Sequence, residues 1–149
     1  MYELEELYQE IILEHNKRPR NFRVLDDHTA HAEGNNPMCG DEIEVFLKTE
    51  GDHIAALTFQ GEGCAISKAS ASLMTEALTG RSVQEAYAEI DRVMQLLKEK
   101  GIEPDLARDG DIAALTGVRK FPARIKCATL AWHALRAALE GQGATSTEE

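Results

Sequence analysis

The chain has 149 residues, 43% of them hydrophobic, and its 16 Lys+Arg against 26 Asp+Glu leave a formal net charge of −10. That length predicts a single domain over residues 1–140 with enough apolar material for a core, so neither disulfides nor a metal is needed merely to fold. The acidic balance argues against a phosphate-neutralising surface for nucleic acid and against a cationic membrane patch. Met1-Tyr2-Glu3-Leu4-Glu5-Glu6 carries acids where a secretory signal carries bases, and no charge-free run approaches the roughly 18 residues of a membrane span, so a cytoplasmic protein is expected.

Leu4, Leu7, Tyr8, Ile11 and Ile12 recur at helical spacing and predict an amphipathic helix from about Glu3 to Lys17. It must stop at Arg18-Pro19, because a proline disfavours helical geometry in the residue before it. A strand is expected around His28–Glu33. Ile43, Val45 and Leu47 then alternate with polar neighbours, and after the turn Glu50-Gly51-Asp52 a second alternating run covers His53 to Gln60, which together predict a β-hairpin. From Cys64 to Thr79-Gly80 the composition is helical. Ser82 with Glu85 three residues on forms a capping box for a further helix to about Lys100. Residues Gly101 to Lys120, with Pro104, Gly110 and Gly117 around the short apolar group Ile112–Leu115, read as a mostly surface excursion with one or two helical turns, and Ala128 to Leu139 as the last helix. The small, polar tail 141–149 is expected to be disordered. The predicted fold class is α+β, a small antiparallel sheet of about three strands with helices packed on one face.

Three cysteines remain for chemistry, and an odd number without a signal peptide fits a reducing compartment. Cys39 lies in the turn-forming segment Asn35-Asn36-Pro37-Met38-Cys39-Gly40-Asp41, from which Cys39 and Asp41 can face one ion. Cys64 follows Gly61-Glu62-Gly63 and opens a helix, where backbone N–H groups favour a thiolate. Cys127 reads as a second cysteine at a helix start, with Arg124 and Lys126 beside it to lower its pKa. Three thiolates and a carboxylate suit tetrahedral zinc, and also iron in a cluster with one oxygen ligand. Spacing alone leaves inert core cysteines open, since no CxxC pair is present. The histidines His15, His28, His31, His53 and His133 lack ligand spacing and read as structural or exposed.

Longer motifs narrow these alternatives. The runs Leu7-Tyr8-Gln9-Glu10-Ile11-Ile12-Leu13-Glu14-His15, Pro19-Arg20-Asn21, Asn36-Pro37-Met38-Cys39-Gly40-Asp41 and Phe59-Gln60-Gly61-Glu62-Gly63-Cys64-Ala65-Ile66-Ser67-Lys68-Ala69-Ser70-Ala71-Ser72 resemble, in order, the U-type iron–sulfur scaffold family. Members of the IscU type carry a histidine immediately before the third cysteine, whereas Lys126 stands there in Arg124-Ile125-Lys126-Cys127-Ala128-Thr129-Leu130-Ala131-Trp132. That lysine and the long interval between Cys64 and Cys127 resemble the SufU type. This resemblance implies a Zn²⁺ ion held by Cys39, Asp41, Cys64 and Cys127. It also implies a sulfurtransferase role beside a pyridoxal-phosphate-dependent, SufS-like cysteine desulfurase, with sulfur passed on to iron–sulfur assembly proteins. Cys39 is the implied sulfur acceptor, and its Pro- and Gly-bounded loop is an independent reason to prefer it to Cys127. Arg124 is a candidate partner for Asp41, and Lys126 for tuning Cys127. The alternative is a scaffold on which a [2Fe–2S] or [4Fe–4S] cluster is assembled and transferred.

Overall fold

Proline and glycine punctuation sets the element boundaries. Helix α1 (Tyr2–Lys17) ends just before Arg18-Pro19, and in this computed structural model residues 2–99 and 102–146 are described. Ile11 and Ile12 of α1 pack on the core, while Leu4 and Leu7, expected on the same apolar stripe, stay 43% and 49% exposed.

Strands β1 (Ala30–Asn36), β2 (Asp41–Glu50) and β3 (His53–Glu62) form an antiparallel meander. The first strand thus begins two residues later than expected and runs three residues further. Its buried positions, Ala32, Gly34 and Asn36, alternate as one inward face. With Ile43, Val45, Leu47, Leu57 and Phe59 they form the surface on which α2 (Ala65–Leu78) and α5 (Pro122–Leu139) pack. Gly34 allows the close approach of α5, because a Cβ there would lie 3.0 Å from Leu130 Cδ1. Among the described residues no helix packs on the opposite face of the sheet, where the rings of His28 and His31 cover Phe46.

Buried serines fasten α2 to its neighbours. Ser67 Oγ donates to the Cys127 carbonyl at 3.2 Å, and Ser70 Oγ accepts from the Trp132 indole at 2.9 Å and donates to the Ala128 carbonyl. Ser72 Oγ bonds His15 Nδ1 at 2.7 Å and accepts from the Arg20 N–H. Each of these hydroxyls replaces water with a fixed partner, so a polar row is buried without an unsatisfied group.

Helix α3 (Val83–Lys98) starts at the expected capping box, with both reciprocal Ser82–Glu85 bonds formed. The following segment corrects the expectation of a surface excursion. A short helix α4 (Leu106–Asp109) leads into a 3₁₀ segment (Gly110–Val118) whose Ile112, Ala113, Ala114, Leu115 and Val118 are buried. The Asp109 carboxylate is the clasp: Arg92 reaches both of its oxygens, at 3.2 and 3.0 Å, and the Asp105 N–H donates at 2.8 Å. Glycines at 110 and 117 suggested exposure, yet the four apolar residues from Ile112 to Leu115 are enough to sink the segment.

The tail is also corrected in part. Ala144–Ser146 form a short strand β4, parallel to β1, giving the sheet order β3-β2-β1-β4. The open edge of β1 offers unpaired backbone groups, and the tail's polarity does not prevent it from pairing with them. Residues 147–149 lie outside the described residues. Among the described residues, no helix is long and apolar enough to cross a membrane.

Candidate metal centre

The register of the meander builds the site. Asn36 and Asp41 are the last facing pair of β1 and β2, so the four residues 37–40 between them must turn, and Gly40 takes a positive φ of 70° to close that turn. Both side chains point inward and are essentially fully buried, whereas Cys39 at the tip of the turn is exposed. Across the sheet Glu42 faces Glu62, which brings Gly63 alongside Asp41. Gly63 has to lack a side chain, since a Cβ would sit 2.5 Å from Asp41 Oδ1. That closeness lets the backbone N–H of Cys64, the N-cap residue of α2, donate to Asp41 Oδ1 at 2.8 Å.

The sulfurs converge on the same carboxylate. Cys127 Sγ lies 3.4 Å from Cys39 Sγ, and Cys64 Sγ is 3.9 Å from Asp41 Oδ2. Potential ligand atoms of Cys39, Asp41 and Cys127 all lie within 4.8 Å of one another. Tetrahedral Zn–S bonds of about 2.3 Å place sulfurs about 3.8 Å apart. Cys39, Asp41 and Cys127 at these separations can face one ion, whereas Cys64, 3.9 Å from Asp41 Oδ2, lies outside that close group and would have to turn its side chain to join them.

Burial tends to raise the pKa of Asp41, but the Cys64 N–H, with hydrogen bonds from Cys127, Ser67 and Asn36, outweighs it and holds the carboxyl below its ordinary range. Cys127 behaves in the opposite sense. Burial, followed by its hydrogen bonds with Asp41, Cys39 and Cys64, pushes its thiol above the usual cysteine range. This overturns the expectation of an activated thiol at a helix start. Helix α5 begins at Pro122, so Cys127 lies in its second turn, only 2% exposed. Arg124 does not reach Asp41; its guanidinium stacks 4.5 Å from the centre of the exposed Phe121 ring. Neither Arg124 nor Lys126 makes an ion pair among the described residues, although Lys126 is half-buried.

Asn36 escaped the sequence reading. Its Nδ2 donates to Asp41 Oδ2 at 3.3 Å and approaches Cys127 Sγ at 3.6 Å, so one amide holds two of the candidate ligands. The signal that reveals it is the alternation Ala32, Gly34, Asn36, which aims an amide into the core once the strand is extended to its true end. Ser67, 3.9 Å from Cys64 Sγ, was likewise missed among the small residues of α2.

Cysteines and an aspartate gathered at the end of a three-stranded meander, roofed by two helices, form a candidate thiolate metal site on an α+β fold. The pattern of the NifU-like N-terminal domain matches residues 7–141, and the chain belongs to that family. It is 46% identical over 132 residues to the zinc-dependent sulfurtransferase SufU of Bacillus subtilis, covering 89% of this chain and 88% of that one. It is 42% identical over 137 residues to the iron–sulfur cluster assembly scaffold protein IscU of Streptococcus pyogenes, covering 92% and 85%. Among solved structures, FiSufU of Fervidobacterium islandicum superposes with a TM-score of 0.80 at 33% identity, covering 87% of this chain and 94% of that one.

Proposed function

We propose that this protein accepts persulfide sulfur from a cysteine desulfurase and passes it towards iron–sulfur cluster assembly. In this reading Cys39, Asp41, Cys64 and Cys127 hold one Zn²⁺ ion. The observation that carries it is the graded exposure of three sulfurs around one ionised, buried carboxylate. When bound, zinc would keep the thiols deprotonated, which matters most for the buried Cys127.

Cys39 is the sulfur acceptor in this reading. It alone of the three is exposed and sits in a turn, free to leave the cluster while Asp41, Cys64 and Cys127 stay anchored by strand, N-cap and helix. Its thiolate attacks the outer sulfur of the desulfurase persulfide. A new S–S bond forms at Cys39 as the old one breaks, and the electron pair leaves on the desulfurase cysteine. The pyridoxal phosphate that generates the persulfide belongs to that SufS-like partner. Met38, 72% exposed beside Cys39, provides contact area next to the acceptor.

The scaffold reading is favoured by the similarity to the Streptococcus pyogenes protein, whose name it carries. Against it stands Lys126, which supplies an ammonium rather than an imidazole next to Cys127. The deciding experiment is the metal content of untagged protein purified with and without air, together with its stimulation of a cognate desulfurase. One zinc per chain, with stimulation lost in Cys39→Ala and Asp41→Ala, is expected. A labile iron–sulfur cluster with little zinc and no stimulation would replace this reading with the scaffold.

A further inference from the structure

A second set of metal-binding donors lies away from the cysteines. His15 of α1, Glu76 of α2 and Asp111 of the 3₁₀ segment come from three separate elements, and one ligand atom of each lies within 4.8 Å of the others. The His15 side chain is 4% exposed, yet only one of its ring nitrogens is engaged. Nδ1 bonds the Ser72 hydroxyl at 2.7 Å. Nε2 stands 3.9 Å from Glu76 Oε1, beyond hydrogen-bond length, and faces the two carboxylates. A buried imidazole fixed through Nδ1, with Nε2 left free, is the arrangement by which proteins orient a metal-binding histidine.

The trio sets two carboxylates against one neighbouring positive charge, that of Arg20. Arg20 lies 3.7 Å from Glu76 Oε2, which steadies that carboxylate and leaves Oε1 turned towards His15. Burial, then the charge of Arg20, lowers the His15 pKa, so the ring is neutral and able to donate a lone pair. An open recess of about 220 Å³ has Glu76 and Asp111 in its lining, so solvent reaches both carboxylates, while His15 lies outside that lining. Nothing in the sulfur chemistry of the cysteine pocket uses these residues.

We propose that His15, Glu76 and Asp111 form a second cation site, for a divalent first-row transition ion held by one nitrogen and two carboxylates. Imidazole with carboxylate donors accepts Mn²⁺, Fe²⁺, Co²⁺ or Zn²⁺, and water completes the shell. Twelve residues of α2 separate Cys64 from Glu76, about 18 Å at 1.5 Å per residue, so the two sites do not share an ion.

Manganese is the probe, because carboxylate and imidazole donors suit it and thiolates do not. Free Mn²⁺ is followed by electron paramagnetic resonance during titration of the full chain, and the ring protons of His15 by NMR. The expected result is saturable binding of one Mn²⁺ per chain with selective broadening of the His15 ring signals. Affinity should fall about tenfold or more in Glu76→Gln and in Asp111→Asn. Both carboxylates are exposed, so these variants keep the fold; the wild-type broadening pattern tests the site without them. No saturable binding up to about 1 mM, the weak end of oxygen-rich cation sites, would overturn the proposal. Unchanged binding in the double variant, or broadening confined to the neighbourhood of the cysteines, would overturn it equally.

Discussion

The two ends of α2 carry donor sets of opposite character. At its start Cys64 lies near Cys39, Asp41 and Cys127, where a buried carboxylate stands beside one exposed thiol and one buried one. Towards its end Glu76 joins His15 and Asp111, where the buried member is a neutral ring and the exposed members carry the charge. The difference lies in what has been desolvated. A buried carboxylate held by the Cys64 N–H and the Asn36 amide is a fixed negative anchor for the cysteines around it. A buried imidazole costs little while neutral, so its cluster takes an ion only as far as solvent-exposed carboxylates help.

The largest effect expected from breaking this contrast comes from Gly63→Ala. A Cβ placed 2.5 Å from Asp41 Oδ1 must displace the anchor and its bond from the Cys64 N–H. Zinc affinity, measured by competition with a chelator, should fall about 100-fold, about 2.7 kcal/mol. Manganese binding at His15 should not change.

Ser72→Ala acts at the other end. It strips the partner from His15 Nδ1 and from the Arg20 N–H, and leaving such buried groups unpaired costs about 2 kcal/mol in a denaturant titration. With the ring no longer oriented, manganese binding should weaken while zinc content stays the same.

A pH dependence shared by the histidines acts on both regions at once. Burial, then Lys98 and Arg136, lowers the His133 pKa to about 4, and that of His15 is lowered too. An unfolded histidine titrates near 6.5. Between about 6.5 and 4 the unfolded chain therefore binds protons that the folded chain refuses, so stability is complete above that window and declines as pH falls through it. Thermal unfolding across this range should show the decline in the wild type and a shallower one in His133→Gln.

Much of this arrangement was legible in the residues. Pro19, the Ser82–Glu85 box and the alternation through Val45 and Leu57 are local signals, and each acts on the backbone within a few residues. Cys39 and Cys64 could be placed from the residues because each stands beside turn or cap residues, whereas Cys127 was misplaced at a helix start. What stayed hidden depends on partners distant in sequence. Arg92 clasps Asp109 across 17 residues and sinks a segment whose glycines suggested a surface loop. His15 meets Ser72 across 57, so its buried state could not be read from α1 alone. Cys127 looked activated because Arg124 and Lys126 are close in sequence, but its helix starts five residues earlier and turns the thiol inward while Arg124 points out to Phe121. Lys126, one residue before Cys127, points to another face of the helix, and Arg124, a turn away, is taken up by the Phe121 ring, so nearness along the chain is a poor guide to a thiol's electrostatics.

The sulfur-acceptor reading is tested most directly by locating the transferred atom. The zinc-loaded protein would be incubated with a cognate desulfurase and isotopically labelled cysteine, trapped with an alkylating reagent, and digested for mass spectrometry. Labelled persulfide sulfur on the peptide containing Cys39, absent from those containing Cys64 and Cys127, is the predicted result. Label on Cys127, or none on any of the three while the desulfurase turns over, would contradict it.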